Sequence, residues 1–243
     1  MNSAMRSPGT VLVTGANRGL GLEYCRQLVA SGWQVLAATR NPRAASGLQN
    51  LGKANANRLR ILELDVVNED QVQALAGELR DQPLDLLINN AGTFGPAGSP
   101  EGMRYQSLDH MDYGIWRNIL EVNLLAPFRL TVALAPSLRL APHPVVIMLS
   151  SDLGSISNNS MGGSHAYRTS KAGLNMLTRS IANEWRDLIV VAMAPGWCKT
   201  ELGGEEAPIE PVDSVRAQLE TFRNLSARHS GKFLDRFGAE VAW

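Results

Sequence analysis

The stretch TVLVTGANRGLG at residues 10–21 decides the fold of this chain. TVLVT is an apolar run of strand length, and residues 20–31 then carry apolar side chains at helical spacing. The glycines between them permit a tight turn and a close approach of the backbone to a ligand. The helix that follows would offer free N–H groups and a positive dipole end, which suit the pyrophosphate of a dinucleotide.

A glycine-rich turn without a ligand is the alternative, because the spacing T-G-x-x-x-G-x-G is a variant of the commonest dinucleotide motif. Its position between a strand and a helix, at the start of an α/β pattern, favours the nucleotide. The residues predicted to bind phosphate here are Gly15, Asn17, Arg18, Gly19, Leu20 and Gly21.

The rest of the chain repeats this alternation of strand and helix. Further strands are predicted at residues 33–39, 59–66, 84–89, 145–150, 188–194 and 232–235. Helices are predicted at residues 69–80, 110–135 and 167–186. Apolar strands alternating with amphipathic helices specify a parallel sheet that is covered on both faces. We therefore predict an α/β fold, a single-domain Rossmann-type doubly wound sheet.

Composition limits the classes of function. The chain has 243 residues, with 23 basic and 23 acidic side chains, and this balance argues against nucleic-acid or polybasic membrane binding. No repeat or linker divides it, so residues 1–243 are predicted to form one domain, with the polar residues 1–9 flexible. Two cysteines are too few for a disulfide framework or a zinc site, so we expect no metal and a cytoplasmic location. No stretch reaches the roughly 18 apolar residues that span a bilayer.

The choice of cofactor depends on charge near the second strand. An NAD site usually has an acidic residue at the end of that strand, which binds the ribose 2′-hydroxyl. Here no acid lies between Glu23 and Glu63, whereas Arg18 and Arg40 could pair with a 2′-phosphate. We therefore predict NADP(H) rather than NAD(H). The alternative is that both arginines are solvated surface residues.

Loops rich in Gly, Pro and Ser follow the fourth and fifth strands at residues 94–102 and 151–163, and a third loop at residues 195–211 follows the sixth. In such sheets ligands bind outside the carboxyl ends of the strands. We expect these loops to lie over the site.

A candidate acid–base pair lies in the sequence YRTSK. Tyr167 and Lys171 are four residues apart in a predicted helix, which puts them on one face. We expect the ammonium to lower the pKa of the phenol from its usual value of about 10, so that the tyrosine can donate a proton to a carbonyl oxygen. The alternative is an ordinary pair of helix-surface neighbours.

Two polar candidates accompany this pair. Ser150 and Ser151 end the fifth strand, where a hydroxyl could bind the substrate oxygen or merely cap the strand. Asn123 lies within EVNLL in a predicted helix, where Asn has poor propensity. Asn123 either has a role in the site or is a core residue whose amide is hydrogen-bonded by the protein.

Together these motifs resemble the short-chain dehydrogenase/reductase family from about Thr10 onward. The resemblance implies a tetrad of Asn123, Ser151, Tyr167 and Lys171, in which Ser151 matches the family serine better than Ser150 does. Tyr167 would be the acid–base group, Lys171 would also hold the nicotinamide ribose, and Asn123 would position a water in a proton relay. 

The resemblance also extends the predicted cofactor site. It implies adenine contacts from Asp65 and Val66, an adenosine ribose bordered by Asn90, Ala91 and Gly92, and a nicotinamide flanked by Pro195, Gly196 and Thr200. More narrowly, AYRTSKAGLN, PGWCKTELGG and the terminal AW look like the sniffer-type carbonyl reductases, and the bacterial C-factor signalling proteins share that pattern. Ser151 and Tyr167 are 16 positions apart, more than is commonest in the family, and NNSMGGSH at residues 158–165 carries the extra length.

The expected function is therefore NADPH-dependent reduction of a ketone or aldehyde to an alcohol. The alternative is a signalling or redox-sensing protein that binds NADP(H) with little turnover. The resemblance also implies a homodimer or homotetramer that pairs through the helices containing Asn123 and Tyr167.

Overall fold

A computed structural model describes residues 8–99 and 101–243. The predicted flexibility of residues 1–9 falls mainly on residues 1–7, which lie outside the described residues. Seven strands form one sheet in the order β3-β2-β1-β4-β5-β6-β7, and every neighbouring pair is parallel. The strands are β1 Thr10–Thr14, β2 Gln34–Thr39, β3 Leu59–Glu63, β4 Leu86–Asn89, β5 Val145–Leu149, β6 Ile189–Ala194 and β7 Phe233–Asp235. This confirms the predicted doubly wound parallel sheet.

Within the described residues, eight α-helices connect the strands of this sheet. They are α1 Gly19–Ala30, α2 Ser46–Ala54, α3 Glu69–Leu79, α4 Tyr113–Leu120, α5 Ala126–Ala133, α6 Ala135–Leu138, α7 His165–Glu184 and α8 Pro211–Arg223. The sequence patterns did not predict α2 and α8. In α2 only Leu48 is buried, and α8 buries the polar Ser214 and Gln218 among its apolar residues, so neither shows a clean apolar stripe.

The long helix predicted at residues 110–135 is interrupted. A π-helical turn, Glu121–Leu125, separates α4 from α5 and contains Asn123. Residue 127 is proline and has no N–H for the α-helical bond to the carbonyl of Asn123, four residues earlier. This missing donor is a physical reason for the wider turn at this position.

The two faces of the sheet are covered by different helices. Val11 and Val13 of β1 pack in a cluster with residues of α1 and α8, whereas Leu12 packs on the opposite face with residues of α3, α5 and α7. All three β1 side chains are completely buried. Burying each such side chain contributes about 1.5–3 kcal/mol, which fixes the register of β1 and hence the loop that follows it.

The sheet reverses its winding between β1 and β4. From β1 the chain proceeds outward through β2 and β3, and from β4 it proceeds in the other direction to β7. Such a switch point opens a crevice at the carboxyl ends of the strands. The loops after β1 and β4 both begin there. In the described part of the chain, no helix is long and apolar enough to cross a membrane.

Candidate active site

The loop after β1, predicted to bind phosphate, depends on its glycines for its shape. Gly15 has a φ of 64°, and a Cβ added to Gly21 would lie 2.2 Å from the carbonyl oxygen of Gly15. A side chain at residue 21 is therefore excluded. Arg18, the N-cap of α1, makes no side-chain capping bond, so the first turn of the helix keeps N–H groups for a ligand.

Thr14 and Asn90 join this loop to the loop after β4. The hydroxyl oxygen of Thr14 accepts hydrogen bonds from the backbone N–H groups of Asn90 and Ala91, each at 3.0 Å. The side-chain amide of Asn90 donates to the carbonyl oxygen of Thr14 at 2.7 Å. Asn90, predicted to border the adenosine ribose, therefore also fixes the position of the glycine loop.

The two arginines predicted to bind a 2′-phosphate have different surroundings. Arg40 is exposed directly after β2. Arg18 is also largely exposed, but it forms an ion pair with Glu201 in the loop after β6. A phosphate would have to compete with Glu201 for Arg18. Arg43, in a 3₁₀ turn just beyond Arg40, is a further exposed cation that the sequence analysis did not single out.

The adenine contacts predicted from the resemblance follow β3. Asp65 is partly buried and accepts a hydrogen bond from the backbone N–H of Val67 at 3.2 Å, and Val66 is buried. The side-chain oxygen of Gln71 accepts from the N–H of Asp65 at 2.6 Å. Asp65 and Val66 thus lie in an ordered turn after β3, the edge strand of the sheet, and their contact with adenine stays a prediction.

Tyr167 and Lys171 lie one turn apart on α7 and are almost completely buried. The Lys171 Nζ atom is 5.6 Å from the centroid of the Tyr167 ring. Nζ also donates a hydrogen bond of 2.7 Å to the carbonyl oxygen of Leu149, the last residue of β5. The strand end therefore holds the ammonium beside the phenol.

The pKa values of this pair correct one expectation from the sequence. Burial raises the pKa of Tyr167 to about 12, although a hydrogen bond with Ser151 opposes the shift and the charge of Asp152 adds to it. Burial also lowers the pKa of Lys171 to about 8. The expectation that the ammonium lowers the phenol pKa is wrong for the protein alone, because desolvation of the phenolate outweighs it. Tyr167 therefore keeps its proton at neutral pH, as a proton donor must.

The structure separates the two serines at the end of β5. Ser150 is buried, and its hydroxyl donates to the side-chain oxygen of Asn175 at 2.7 Å, inside the core. Ser151 is only partly buried and accepts a hydrogen bond from the N–H of Leu153 at 3.2 Å. Its hydroxyl lies near enough to Tyr167 to oppose the rise in the pKa of that phenol. Ser151 is therefore the serine that lies near the candidate acid, and its place in a catalytic tetrad stays a prediction.

Asn123 is buried, and its side chain is fully used by the protein. The amide oxygen accepts from the N–H of Thr93 at 2.8 Å, and the amide nitrogen donates to the carbonyl of Thr93 at 2.9 Å and the hydroxyl of Ser170 at 3.1 Å. A Cβ added to Gly92 would lie 3.4 Å from the Asn123 amide oxygen and 3.8 Å from Lys171 Nζ. Gly92, Asn123 and Lys171 are thus neighbours, and the predicted water would have to bind the Asn123 backbone rather than its amide.

The loop after β6 meets the glycine loop. Gly196, which follows Pro195, has a φ of 79°, and a Cβ there would lie 2.7 Å from a guanidinium nitrogen of Arg236. The Thr200 methyl group would lie 3.3 Å from a Cβ on Gly19. The structure therefore brings the predicted nicotinamide residues and the predicted phosphate residues to one edge of the sheet.

Two residues of the site were not identified from the sequence. Phe94 is buried, with its ring centroid 4.8 Å from that of Tyr167. Gln106 is completely buried and bonds the backbone of Tyr167 at 2.8 Å. Neither belongs to a recognisable motif. Both are distant from Tyr167 in the sequence, and only the folded chain brings them into contact with it. In residues 8–99 and 101–243, no group of three or more His, Cys, Asp or Glu residues could hold a metal ion.

The doubly wound sheet, the glycine loop at its switch point and the pair on α7 beside Ser151 define a class of oxidoreductase. The model of the family described as short chain dehydrogenase matches residues 9–210. The chain therefore belongs to the short-chain dehydrogenase/reductase family.

Within the family, carbonyl reductases are among its structural neighbours. The carbonyl reductase Sniffer of D. melanogaster is 31% identical, with a TM-score of 0.89 over 97% of this chain and 100% of that one. The NADPH-bound carbonyl reductase from chicken fatty liver is 33% identical, with a TM-score of 0.89 over 98% of this chain and 100% of that one. The C-signal of Myxococcus xanthus is 37% identical over 174 residues, which are 71% of this chain and 100% of C-signal. The predicted resemblance is confirmed.

Proposed function

We propose that this chain, folded as one domain, is an NADPH-dependent carbonyl reductase that converts a ketone or an aldehyde to an alcohol. The observation that carries the proposal is the buried, protonated Tyr167, which lies beside both Lys171 and Ser151 at the crevice. A neutral phenol next to a cation and a second hydroxyl is suited to protonating a carbonyl oxygen.

The residues of the site divide the chemistry between them. NADPH, when bound, supplies the hydride that attacks the carbonyl carbon. The Ser151 hydroxyl donates a hydrogen bond to the carbonyl oxygen and keeps it within reach of Tyr167. As negative charge develops on that oxygen, Tyr167 gives up its proton to it, and Lys171 stabilises the phenolate that remains. Proton uptake from water then restores the phenol.

The preference for NADPH over NADH rests on charge. Exposed Arg40 follows β2, and no acidic residue between Glu23 and Glu63 could bind a ribose 2′-hydroxyl. We expect the 2′-phosphate to bind Arg40 and to draw Arg18 away from Glu201. The chicken reductase among the similar structures has NADPH bound, which supports this choice.

We further propose a homodimer or homotetramer that pairs through α5 and α7. Phe128 on α5 is 39% exposed and Met176 on α7 is 65% exposed, so both helices present apolar surface that a second copy could cover. The mass in solution, measured by light scattering, tests this part of the proposal separately from the chemistry.

Loss of the proton donor is the direct test. We expect Tyr167→Phe to lower kcat for NADPH-dependent reduction of a ketone and aldehyde panel by at least about 100-fold, because the phenol oxygen is removed while the ring is kept. We also expect NADPH to be used with a lower KM than NADH. Full turnover by Tyr167→Phe, or equal use of NADH, would refute the corresponding part of the proposal.

The serines supply a matched control pair. Ser151→Ala removes a hydroxyl that faces Tyr167, whereas Ser150→Ala removes one that faces Asn175 in the core. We expect Ser151→Ala to lower kcat by about 100-fold. Ser150→Ala should keep its kcat and lose about 1–3 kcal/mol of unfolding free energy.

A second candidate function is signalling through bound NADP(H). The observation that favours it is the similarity to C-signal over that protein's whole length. Calorimetric binding of NADPH without turnover of any carbonyl in the panel would support this function over the reductase.

A further inference from the structure

The helix that carries Tyr167 has no N-terminal cap of its own. Ser164, at the N-cap of α7, has a φ of 47° and a ψ of 41°, and its side chain makes no capping hydrogen bond. Gly162 and Gly163 before it also have positive φ values, of 66° and 68°. A left-handed N-cap cannot aim its hydroxyl as an extended one does, so the N–H groups of the first turn need another acceptor.

Gln106 supplies that acceptor from a distant part of the chain. Its side-chain oxygen accepts a hydrogen bond of 2.8 Å from the backbone N–H of Tyr167, the third residue of α7. Its backbone carbonyl accepts a longer bond, 3.3 Å, from the N–H of His165. Gln106 is 0% exposed, so no water competes for these bonds. The N–H of the third helical residue is one of the usual targets of an N-cap side chain.

The nitrogen of the same side-chain amide binds the backbone of Phe94. The side-chain nitrogen of Gln106 donates to the carbonyl oxygen of Phe94 at 2.7 Å and to that of Gly102 at 3.3 Å. The Phe94 ring packs in turn on the Tyr167 ring. Hydrogen bonds therefore connect Gln106 to the backbones of Phe94 and Tyr167, and the rings of these two residues contact each other.

We infer that Gln106 is a positioning residue for the reduction: its amide holds Tyr167 and Phe94 as one unit and so sets the direction in which the phenol faces the substrate. The inference rests on the proposed function. Making both bonds requires a side chain that carries an acceptor and a donor on one terminal carbon, as a carboxamide does. A displacement of about 1 Å at a reacting group can cost a factor of 100 in rate, so this support has a measurable effect.

Gln106→Met tests the inference because it keeps the length of the side chain and removes both hydrogen-bonding atoms. We expect kcat to fall about 10- to 100-fold. The calorimetric Kd for NADPH should stay within a factor of two, because, among the described residues, the Gln106 side chain bonds only to the backbones of Phe94, Gly102 and Tyr167 and to no group of the glycine loop, Asn90–Gly92 or Lys171. An unchanged kcat would overturn the inference.

Gln106→Glu adds a readout that a purely structural role would not change. A protonated carboxyl group has the donor and acceptor of the amide, whereas a carboxylate has no donor and would repel the Phe94 carbonyl. We expect the ratio of variant to wild-type kcat to rise as the pH is lowered from 8 to about 5.5. The ionisable neighbours, Arg104 and Tyr105 on its own turn and His165 and Tyr167 on α7, are the same in both proteins, so they cancel in this ratio. A ratio that does not depend on pH would contradict the inference.

Ser137→Ala is the control for lost stability alone. The Ser137 hydroxyl is buried and donates to the carbonyl oxygen of Leu79 at 2.7 Å, near the start of β4 and at the opposite edge of the sheet. The Ser137→Ala variant should have a lower unfolding free energy than wild type and the wild-type kcat. Loss of kcat in Ser137→Ala equal to that in Gln106→Met would overturn the inference.

Hydrogen exchange separates this inference from the proposed function. The amides at the start of α7 should exchange at least 10-fold faster in Gln106→Met than in wild type or Ser137→Ala. If these amides exchange at the wild-type rate in Gln106→Met, the positioning role is overturned, whatever kcat that variant has. A wild-type protein that reduces no carbonyl would refute the proposed function alone, and faster exchange in Gln106→Met would still support the role of Gln106 in holding Tyr167.

Discussion

Lys171 shows how function and stability oppose each other at a single residue. The residue is 5% exposed, and burial lowers its pKa from 10.5 to about 8. Below pH 8 the folded protein must bury the charge, which costs stability. Between pH 8 and 10.5 the folded state releases this proton while the unfolded state still binds it, so the unfolding free energy rises with pH.

The rise of the unfolding free energy with pH gives a prediction for Lys171→Met. The unfolding free energy of wild type minus that of the variant should increase by about 2–3 kcal/mol between pH 7 and pH 10, because only wild type has the titrating ammonium. Urea unfolding at several pH values measures the difference, and other groups cancel in it. Parallel stability curves for the two proteins would contradict a buried, titrating Lys171.

Some residues of the site could be predicted from the sequence and others could not. Tyr167 and Lys171 are local neighbours, so helical spacing alone placed them on one face. Gln106 reaches Tyr167 from 61 residues away, and no local pattern contains that contact. The pKa of Tyr167 was misjudged for the same reason, because its burial depends on Phe94 and other residues that only the fold brings near.

At the level of elements, the central strands were predictable because they are buried on both faces. β1, β4 and β5 are near-continuous apolar runs, and the structure moves the predicted ends by at most two residues. α8 was missed because Ser214 and Gln218 are buried polar residues that satisfy each other at 3.0 Å. Polar residues on the buried face interrupt the apolar stripe by which an amphipathic helix is recognised in a sequence.

The π-helical turn between α4 and α5 leads to a prediction for Pro127. Pro127→Ala restores an N–H that can bond to the carbonyl of Asn123, which favours a regular α-helix through residues 121–125. The side chain of Asn123 would then rotate away from Thr93, to which it now makes two hydrogen bonds. We expect kcat to fall about 10-fold while the unfolding free energy changes by less than about 1 kcal/mol.

Pro136→Ala is the matched control for this prediction, because Pro136 also lies in the first turn of a helix, α6. It should leave kcat unchanged. Steady-state kinetics and urea unfolding of the two variants give both quantities. If Pro127→Ala had the kinetics of Pro136→Ala, the π-helical turn would have no part in holding Asn123.

At the scale of the whole molecule, the last residues of the chain contact the loop that precedes the candidate acid. The carbonyl oxygen of Ala242 accepts a hydrogen bond from the hydroxyl of Ser155 at 2.7 Å, and that of Trp243 accepts from the N–H of Ser157 at 2.6 Å. The Trp243 ring stacks on Phe233 of β7 at 5.8 Å. The edge strand therefore anchors a segment that in turn holds the loop after Ser151.

Trp243→Ala should release this loop without changing the cofactor crevice. Aromatic stacking contributes about 0.5–1.5 kcal/mol beyond the area it buries, so losing it should weaken the two hydrogen bonds that depend on it. We expect the KM for the carbonyl substrate to rise several-fold and the Kd for NADPH to stay constant, because the two hydrogen bonds involve no residue predicted to bind the cofactor. Trp185→Ala, which removes a tryptophan that stacks with Arg139 instead, should change neither constant. A rise in the Kd for NADPH in Trp243→Ala would mean that the segment supports the whole carboxyl edge of the sheet, whereas an unchanged KM would mean that the loop after Ser151 holds its shape without it.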